Sequence, residues 1–315
     1  MSTPRSIDLP SGVRPLALRT GRGLFAALDA MPATGVCERR PALLVPGFTG
    51  SKEDFLPILR QLAAAGRRAV AIDMRGQYET GGTDQADAYS LAELGADIGS
   101  IAATIAADPP TAGQAAGPGP AGVHLLGHSF GGLVARHAIL AGQADACSLT
   151  LMSSGPGKLT GPWADILGAI LDRLPPAGAR ALAAEFRRVW DAELAPQARA
   201  EGTPPHIMTF LERRMLDSSP DGLVAMGRQL LGCEDLTDDL AEAFDAPILV
   251  LYGEYDDKWQ TPVQEEMAAR LGAQRLCIPA ATHSPAVEAP ETTASALTAF
   301  WNAAEAVSPV SRVSR

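Results

Sequence analysis

The segment G-H-S-F-G-G, which begins at Gly127, places a serine between glycines at the end of an apolar run. The preceding V-H-L-L has the composition of a buried strand, and the residues after Gly131 have the spacing of a helix. In a strand-turn-helix of this kind the turn is strained, and the serine hydroxyl projects from the end of the strand. Ser129 is therefore predicted to be a catalytic nucleophile.

A serine hydroxyl needs a histidine base within hydrogen-bond reach to take its proton. His283 lies in the loop A-A-T-H-S-P, directly after the last strand-like run, R-L-C-I-P. This position puts it at the same carboxyl edge of the predicted sheet as Ser129, so His283 is predicted to be the base. His128 adjoins the serine and is expected to point away from it. The other histidines are expected to have structural or surface roles: His124, His137 and His206.

A carboxylate is needed behind the histidine to orient its ring. The strand-like run P-I-L-V-L-Y leads into G-E-Y-D-D-K-W, which offers three acidic residues at the carboxyl edge of the predicted sheet. Asp256, three residues after Gly253, is the preferred candidate for the orienting carboxylate. Glu254 and Asp257 remain alternatives.

Apolar runs alternate with helical patterns along most of the chain, which predicts an α/β fold with a mostly parallel sheet. The predicted strands follow a hairpin over 13–30 and span 41–46, 68–73, 123–127, 148–153, 247–252 and 275–279. The predicted helices span 53–65, 90–107, 131–142, 262–271 and 288–305. The Gly- and Pro-rich stretch 108–122 is expected to be an exposed connection.

Residues 157–243 interrupt this alternation, because they contain amphipathic helical segments at 163–174, 181–190 and 206–216 and no strand-like run. The sequence therefore predicts a helical insertion over one end of the sheet. Its aromatic residues and methionines are candidates for an apolar substrate pocket, although such side chains at helical spacing also form ordinary helical cores. The candidates are Trp163, Trp190, Met208, Phe210, Met215 and Met226.

The chain has 315 residues, of which 46% are hydrophobic and 20% are charged, a composition typical of a folded protein with a large core. The net charge of −10 and the lack of a Lys/Arg cluster disfavour nucleic acid as a partner. The four cysteines are far apart and form no C-x-x-C pair, which disfavours a zinc or redox site. Of these, Cys147 and Cys277 lie in apolar surroundings and are expected in the core.

The first residues, M-S-T-P-R-S-I-D, have no apolar region of a signal peptide, and no apolar run reaches the length of a membrane span. A cytoplasmic protein without a membrane span is therefore expected. The sequence contains no G-x-G-x-x-G after the early strands and no H-E-x-x-H. No cofactor and no metal are expected, and the expected partner is a small molecule with an apolar acyl group or a ring.

Five segments, taken in order, resemble the α/β-hydrolase superfamily, specifically its serine-nucleophile branch of capped, esterase- and lipase-like enzymes. They are L-L-V-P-G-F-T-G-S at 43–51, I-D-M-R-G-Q at 72–77, G-H-S-F-G-G around Ser129, L-Y-G-E-Y-D-D at 251–257 and T-H-S-P-A-V-E-A-P at 282–290. The resemblance implies a mostly parallel sheet of about eight strands flanked by helices. The implied core domain comprises 1–156 and 244–315, and 157–243 is implied to be a helical cap.

The resemblance also implies an oxyanion hole formed by two backbone N–H groups, those of Phe48 and Phe130. Many relatives have His-Gly before the first of these donors, whereas this chain has Pro46-Gly47. Relatives with an aspartate at the elbow are epoxide hydrolases and haloalkane dehalogenases, which Ser129 disfavours.

Together these features predict a hydrolase that cleaves a carboxylic ester, a thioester or a lactone through an acyl-enzyme on Ser129. Three alternatives use the same residues or the same fold. They are a carbon–carbon bond hydrolase acting on a 1,3-diketone, an acyltransferase, and a hydrolase-like ligand receptor with little turnover.

Overall fold

The computed structural model describes residues 2–33, 37, 39–107, 122–174 and 179–306. These residues form an eight-stranded sheet in the order β1-β2-β4-β3-β5-β6-β7-β8. The strands β1 and β2 form an antiparallel hairpin, β2 pairs antiparallel with β4, and all other neighbours are parallel. The strands are β1 Val13–Thr20, β2 Gly23–Ala30, β3 Ala42–Val45, β4 Ala69–Ile72, β5 Val123–His128, β6 Ala146–Met152, β7 Ile248–Gly253 and β8 Gln274–Ile278. The predicted α/β class with a mostly parallel eight-stranded sheet is confirmed.

Helices cover both faces of the sheet, as the unbroken apolar runs of the inner strands require. Within β3, Leu43 and Val45 belong to one hydrophobic cluster, and Leu44 belongs to the other. The first cluster contains side chains of α2 Leu91–Ala107, α3 Phe130–Leu140, α9 Thr237–Ala243 and α10 Thr261–Arg270. The second contains side chains of α1 Leu56–Ala64, α11 Pro285–Glu288 and α12 Pro290–Ala306. The core thus consists of two layers, one on each side of the sheet.

The helical segment between β6 and β7 contains helices and no strand among its described residues, 157–174 and 179–243. Three of its helices lie where the sequence predicts them: α4 Pro162–Arg173, α5 Ala179–Val189 and α7 Pro205–Asp217. After α5 follow a π-helical turn, Trp190–Leu194, and the short α6 Ala195–Ala200. Helix α8 Pro220–Gly232 is not predicted from the sequence, although its apolar face, including Met226, is buried in the first cluster.

The junction of α7 and α8 is fixed by buried polar contacts to the segments that follow β3 and β4. The Arg214 guanidinium on α7 pairs with Asp54 at 2.7 Å, and both side chains are almost fully buried. The backbone N–H of Ser219 donates to the carbonyl oxygen of Gly76 at 2.8 Å. The Ser218 hydroxyl accepts from the N–H of Tyr78 at 2.9 Å. These contacts hold one part of the helical segment in a fixed place relative to the strand ends.

We expect Arg214→Met to lower the free energy of unfolding by roughly 3–5 kcal/mol, because it leaves the Asp54 carboxylate buried without its partner. Chemical denaturation of the purified variant measures this loss. In the double variant Asp54→Asn with Arg214→Met no charge remains, so we expect it to be more stable than Arg214→Met alone. A double variant with the summed loss of both single changes would contradict this account.

Neither Cys147 nor Cys277, both expected in the core, is fully buried. The expectation that Cys277 is a core residue is wrong: the residue is exposed, because β8 is the edge strand and most of its side chains face solvent. Cys147 is half-buried.

The predicted connection 108–122 lies outside the described residues except for Gly122. Among the described helices, none has both the length and the apolar character that a bilayer crossing requires.

Candidate active site

Ser129 occupies a strained turn between β5 and α3, with φ 54° and ψ −122°. The turn is possible only because glycines lie on either side of it. A Cβ on Gly127 would lie 2.3 Å from the carbonyl oxygen of Gly131, and a Cβ on Gly131 would lie 2.4 Å from that of Pro46. The glycine spacing that the sequence shows is therefore a consequence of close packing between β5, α3 and the end of β3.

The side chain of His283 lies between Ser129 and Asp256. Its Nε2 is 3.0 Å from the Ser129 Oγ, and its Nδ1 is 2.9 Å from the Asp256 Oδ1. Since an ionised carboxylate only accepts, Nδ1–H donates to Asp256 and the lone pair on Nε2 accepts from the serine hydroxyl. Three segments that are distant in sequence thus form one hydrogen-bonded chain at the carboxyl edge of the sheet.

Asp256 is held by more than its histidine. Its carboxylate accepts from the backbone N–H of Lys258 at 3.0 Å and from the Gln264 Nε2 at 3.0 Å. Burial works against ionisation of this carboxyl, but hydrogen bonds from His283, Lys258 and Gln264 outweigh burial and lower its pKa. The group is therefore an anion facing the imidazole.

The two alternative carboxylates have other partners. Glu254 accepts from the backbone N–H of Ala280 at 2.9 Å. Asp257 accepts from the Trp163 Nε1 at 2.9 Å and pairs with the Lys258 ammonium at 2.6 Å. The structure thus brings Asp256, and neither of its acidic neighbours, to the ring of His283.

His128 points away from the serine hydroxyl and bonds to the histidine loop instead. Its Nε2–H donates to the backbone carbonyl of His283 at 2.8 Å. Burial lowers the pKa of His128 to about 3, so the ring is neutral at physiological pH. A neutral ring here adds no positive charge beside His283, whose ring centroid is 5.1 Å away.

The two predicted oxyanion donors flank the serine. A Cβ on Gly47 would lie 3.0 Å from the Ser129 Cβ, which places the Gly47-Phe48 peptide against Ser129. Phe130 is the first residue of α3, where helix geometry leaves N–H groups free and favours negative charge. Among the described residues, the N–H of Phe48 has no acceptor.

A second serine–histidine–carboxylate chain lies elsewhere in the sheet. His124 Nδ1 is 2.7 Å from the Ser148 Oγ, and His124 Nε2 is 3.0 Å from the Glu305 Oε1. Ser148 and His124 are 0% exposed and pair across the strands β5 and β6. Trp301 stacks on the His124 ring, and burial lowers the pKa of His124 to about 4. No substrate reaches this serine, so the chain of bonds is structural.

The six candidate pocket residues do not form one group. Trp190, Phe210 and Met215 are buried in one cluster of the helical segment, with the half-buried Met208 packed against it. Met226, on α8, lies in the hydrophobic cluster that also contains side chains of α2 and α3. Trp163 is exposed and bonds to Asp257. The prediction that these side chains line a substrate pocket stays a prediction.

Several contacts of the site have no signature in the sequence. The Ser154 Oγ donates to the backbone carbonyl of Ser129 at 2.8 Å, and the Trp259 ring lies 6.3 Å from that of His283. Gln264, which bonds Asp256, lies eight residues further along the chain on α10. Buried Ser, Gln and Trp are common in any fold, so only their placement in space marks them.

The family model of the alpha/beta hydrolase family matches residues 42–296, which is most of the chain. The chain belongs to the alpha/beta hydrolase family. This match confirms the resemblance that the five sequence segments indicate. It covers the predicted nucleophile, base and carboxylate together with the helical segment.

Solved structures of other proteins share this fold. A protein of Acinetobacter baumannii AYE described as a lipase has a TM-score of 0.70 at 19% identity, with 94% of this chain and 93% of that chain covered. A thermophilic esterase of Thermogutta terrifontis has a TM-score of 0.65 at 20% identity, with 93% and 99% covered. The enol-lactonase of Burkholderia xenovorans LB400 has a TM-score of 0.66 at 15% identity, with 91% and 100% covered. A comparison with curated protein sequences gives no match.

Proposed function

We propose that this member of the family is a serine hydrolase that cleaves a carboxylic ester, a thioester or a lactone. The observation that carries the proposal is the chain of bonds from Ser129 through His283 to Asp256, with distances of 3.0 Å and 2.9 Å, on a serine in a strained turn. Among the described residues that bond a histidine side chain, Ser129 is the one with a positive φ; Ser148, for example, does not have one.

In the first half of the reaction, the Ser129 Oγ attacks the substrate carbonyl carbon while His283 Nε2 takes the hydroxyl proton. The carbonyl oxygen becomes an anion and accepts from the N–H groups of Phe48 and Phe130. Asp256 stabilises the imidazolium. Collapse of the tetrahedral intermediate breaks the bond to the leaving group, which takes the proton from His283, and an acyl-enzyme remains on Ser129.

In the second half, water enters and gives a proton to His283 as its oxygen attacks the acyl carbon. The second tetrahedral intermediate breaks the bond to the Ser129 oxygen, which regains its proton from His283. The products are a carboxylic acid and the free enzyme. In a lactone, the leaving group and the acyl group are parts of one molecule, and the product is a hydroxy acid.

The helical segment 157–243 is proposed to be the cap over this site, and 1–156 with 244–315 to be the core domain. Gly227 on α8 supports this role, because a Cβ there would lie 3.5 Å from the Phe48 ring and 3.3 Å from Leu171. An apolar side chain therefore fills the space between the oxyanion loop and the helical segment. Such surroundings favour an apolar acyl group or ring of medium size.

Hydrolysis of p-nitrophenyl esters with acyl chains of increasing length tests the proposal, with Ser129→Ala as the matched blank. We expect the highest kcat/KM at acyl chains of roughly four to eight carbons. A thioester, a lactone and a 1,3-diketone in the same series separate the reaction types. Cleavage of the diketone without turnover of any ester, thioester or lactone would contradict the proposal. Transfer of the acyl group to an added alcohol in place of water would indicate an acyltransferase.

A further inference from the structure

The peptide bond between Gly47 and Phe48 lies against the nucleophile, since a Cβ on Gly47 would be 3.0 Å from the Ser129 Cβ. The described chain contains no cis peptide bond, so this peptide is trans. In a trans peptide the carbonyl oxygen of one residue and the N–H of the next point in opposite directions. Whatever holds the carbonyl of Gly47 therefore also sets the direction of the N–H of Phe48.

Gln77 holds that carbonyl. Its Nε2 donates to the Gly47 oxygen at 2.8 Å, and the backbone N–H of Gly50 donates to the same oxygen at 3.0 Å. The Oε1 of Gln77 accepts from the backbone N–H of Met74 at 3.1 Å. Since a backbone N–H only donates, Oε1 must face Met74 and Nε2 must face Gly47.

The Gln77 amide is locked in this orientation. Its side chain is 0% exposed, so turning the amide would leave a buried donor and a buried acceptor without partners. The loop beyond the peptide is itself strained, with Thr49 at φ 58°. Its conformation therefore depends on contacts from outside the loop, and Gln77, thirty residues further along the chain, provides one of them.

We propose that Gln77 is a positioning residue of the oxyanion hole: by fixing the carbonyl of Gly47, it aims the N–H of Phe48 at the substrate oxygen that becomes negatively charged. This inference rests on the proposed function. The bond to that oxygen strengthens as charge develops, so it stabilises the transition state more than the bound substrate. Loss of the alignment therefore lowers kcat and leaves KM nearly unchanged.

The first test compares Gln77→Met with Thr80→Val. The methionine matches the length of glutamine and lacks the donor. Thr80 is a buried residue in the loop that contains Gln77, and its hydroxyl bonds the backbone of Asp73 and Ala26. Loss of this hydroxyl therefore disturbs the Gln77 loop without removing a contact to Gly47. We expect Gln77→Met to lower kcat on the best ester by about 10- to 100-fold, with KM within about 2-fold. Thr80→Val is expected to keep kcat within about 2-fold of the wild type.

Affinity for a trifluoromethyl ketone gives a second readout in these variants. This inhibitor adds to the serine and forms a tetrahedral anion, so its binding depends on the oxyanion hole. We expect its inhibition constant to rise in Gln77→Met by about the factor by which kcat falls. Thr80→Val is expected to leave it unchanged.

The variant Gln77→Glu adds a pH-dependent readout. Its carboxylate still accepts from Met74 but repels the carbonyl of Gly47, whereas its protonated form donates to that carbonyl as the native amide does. We therefore expect the ratio of its kcat to that of the wild type to rise as the pH falls from 8 to about 5.5. The ratio removes the pH dependence that the variant shares with the wild type, and His128 beside Gly47 stays neutral because its pKa is about 3.

Wild-type kcat in Gln77→Met, or an equal loss in Thr80→Val, overturns the inference, as does a pH-independent ratio in Gln77→Glu. If Gln77→Met fails to fold, the pH dependence of Gln77→Glu decides the question. The proposed function fails separately: in that case the wild type itself turns over no ester, thioester or lactone, or Ser129→Ala retains the wild-type rate.

Discussion

From the proposed mechanism we expect Ser129→Ala to lower kcat for ester hydrolysis by roughly 10⁵-fold or more and to leave the fold intact. The change removes the oxygen that forms the acyl bond, and the oxyanion donors alone support only slow attack by water. The Ser129 side chain makes one hydrogen bond, to His283, so its loss changes little in the packing. Steady-state kinetics and circular dichroism on the purified variant measure both effects.

Ser148→Ala is the matched control for that variant. It also removes a buried serine hydroxyl that bonds a histidine, at 2.7 Å, but on a strand that no substrate reaches. We expect kcat within about 2-fold of the wild type and some loss of stability, because the polar group of His124 that bonds Ser148 loses its partner. A large loss of kcat in Ser148→Ala together with full activity in Ser129→Ala would exchange the roles of the two serines.

From the same proposed mechanism we expect Asp256→Asn to lower kcat by roughly 10⁴-fold. The neutral amide does not stabilise the imidazolium of His283, and its NH₂ group favours the tautomer in which Nε2 carries the proton and cannot accept the one from Ser129. The NH₂ group that faces His283 also takes the place of the oxygen that accepts from the Lys258 N–H, while the remaining oxygen still accepts from the Gln264 Nε2. The pH–rate profile of the variant measures the effect.

Asp257→Asn is the control, since it makes the same change from carboxylate to amide at the neighbouring residue. Asp257 bonds Trp163 and Lys258 and does not contact His283. We expect its kcat to stay within a few-fold of the wild type. Equal losses in the two variants would mean that Asp256 does not act through the histidine.

The alternation of apolar runs and helical patterns is sufficient to predict the parallel sheet, because strands covered on both faces leave an unmistakable pattern of consecutive apolar residues. The turn at Ser129 is equally visible, since the contact that requires Gly127 comes from Gly131 in the same turn. His283 and Asp256 follow from their position after predicted strands. In each case the local sequence carries the structural requirement.

Features that depend on tertiary contacts are not visible in the same way. Helix α8 is missed because Gly222, Gly227 and Gly232 interrupt its apolar pattern, and Gly222 is required by the Tyr89 ring, which a Cβ there would meet at 2.8 Å. Cys277 looks apolar in its neighbourhood but lies on an edge strand. The hydrogen bond from Gln77 to Gly47 joins residues thirty positions apart, and no sequence motif indicates it.

The two serine–histidine–carboxylate chains differ in backbone position and access, and hardly in hydrogen-bond geometry. Their distances are nearly equal, and both have a histidine between a hydroxyl and a carboxylate. Ser129 lies on a turn with a positive φ beside a helix N-terminus, while Ser148 lies within a strand. Hydrogen-bond geometry alone therefore does not define a nucleophile; backbone position and access do.

Covalent labelling of the wild-type protein with a fluorophosphonate tests the central claim most directly, because this reagent reacts only with an activated serine. Peptide mapping by mass spectrometry then locates the adduct. We expect one equivalent of phosphonate on the peptide that contains Ser129, and none on that peptide in His283→Ala. An adduct on another serine, or labelling at Ser129 that does not depend on His283, would contradict the account.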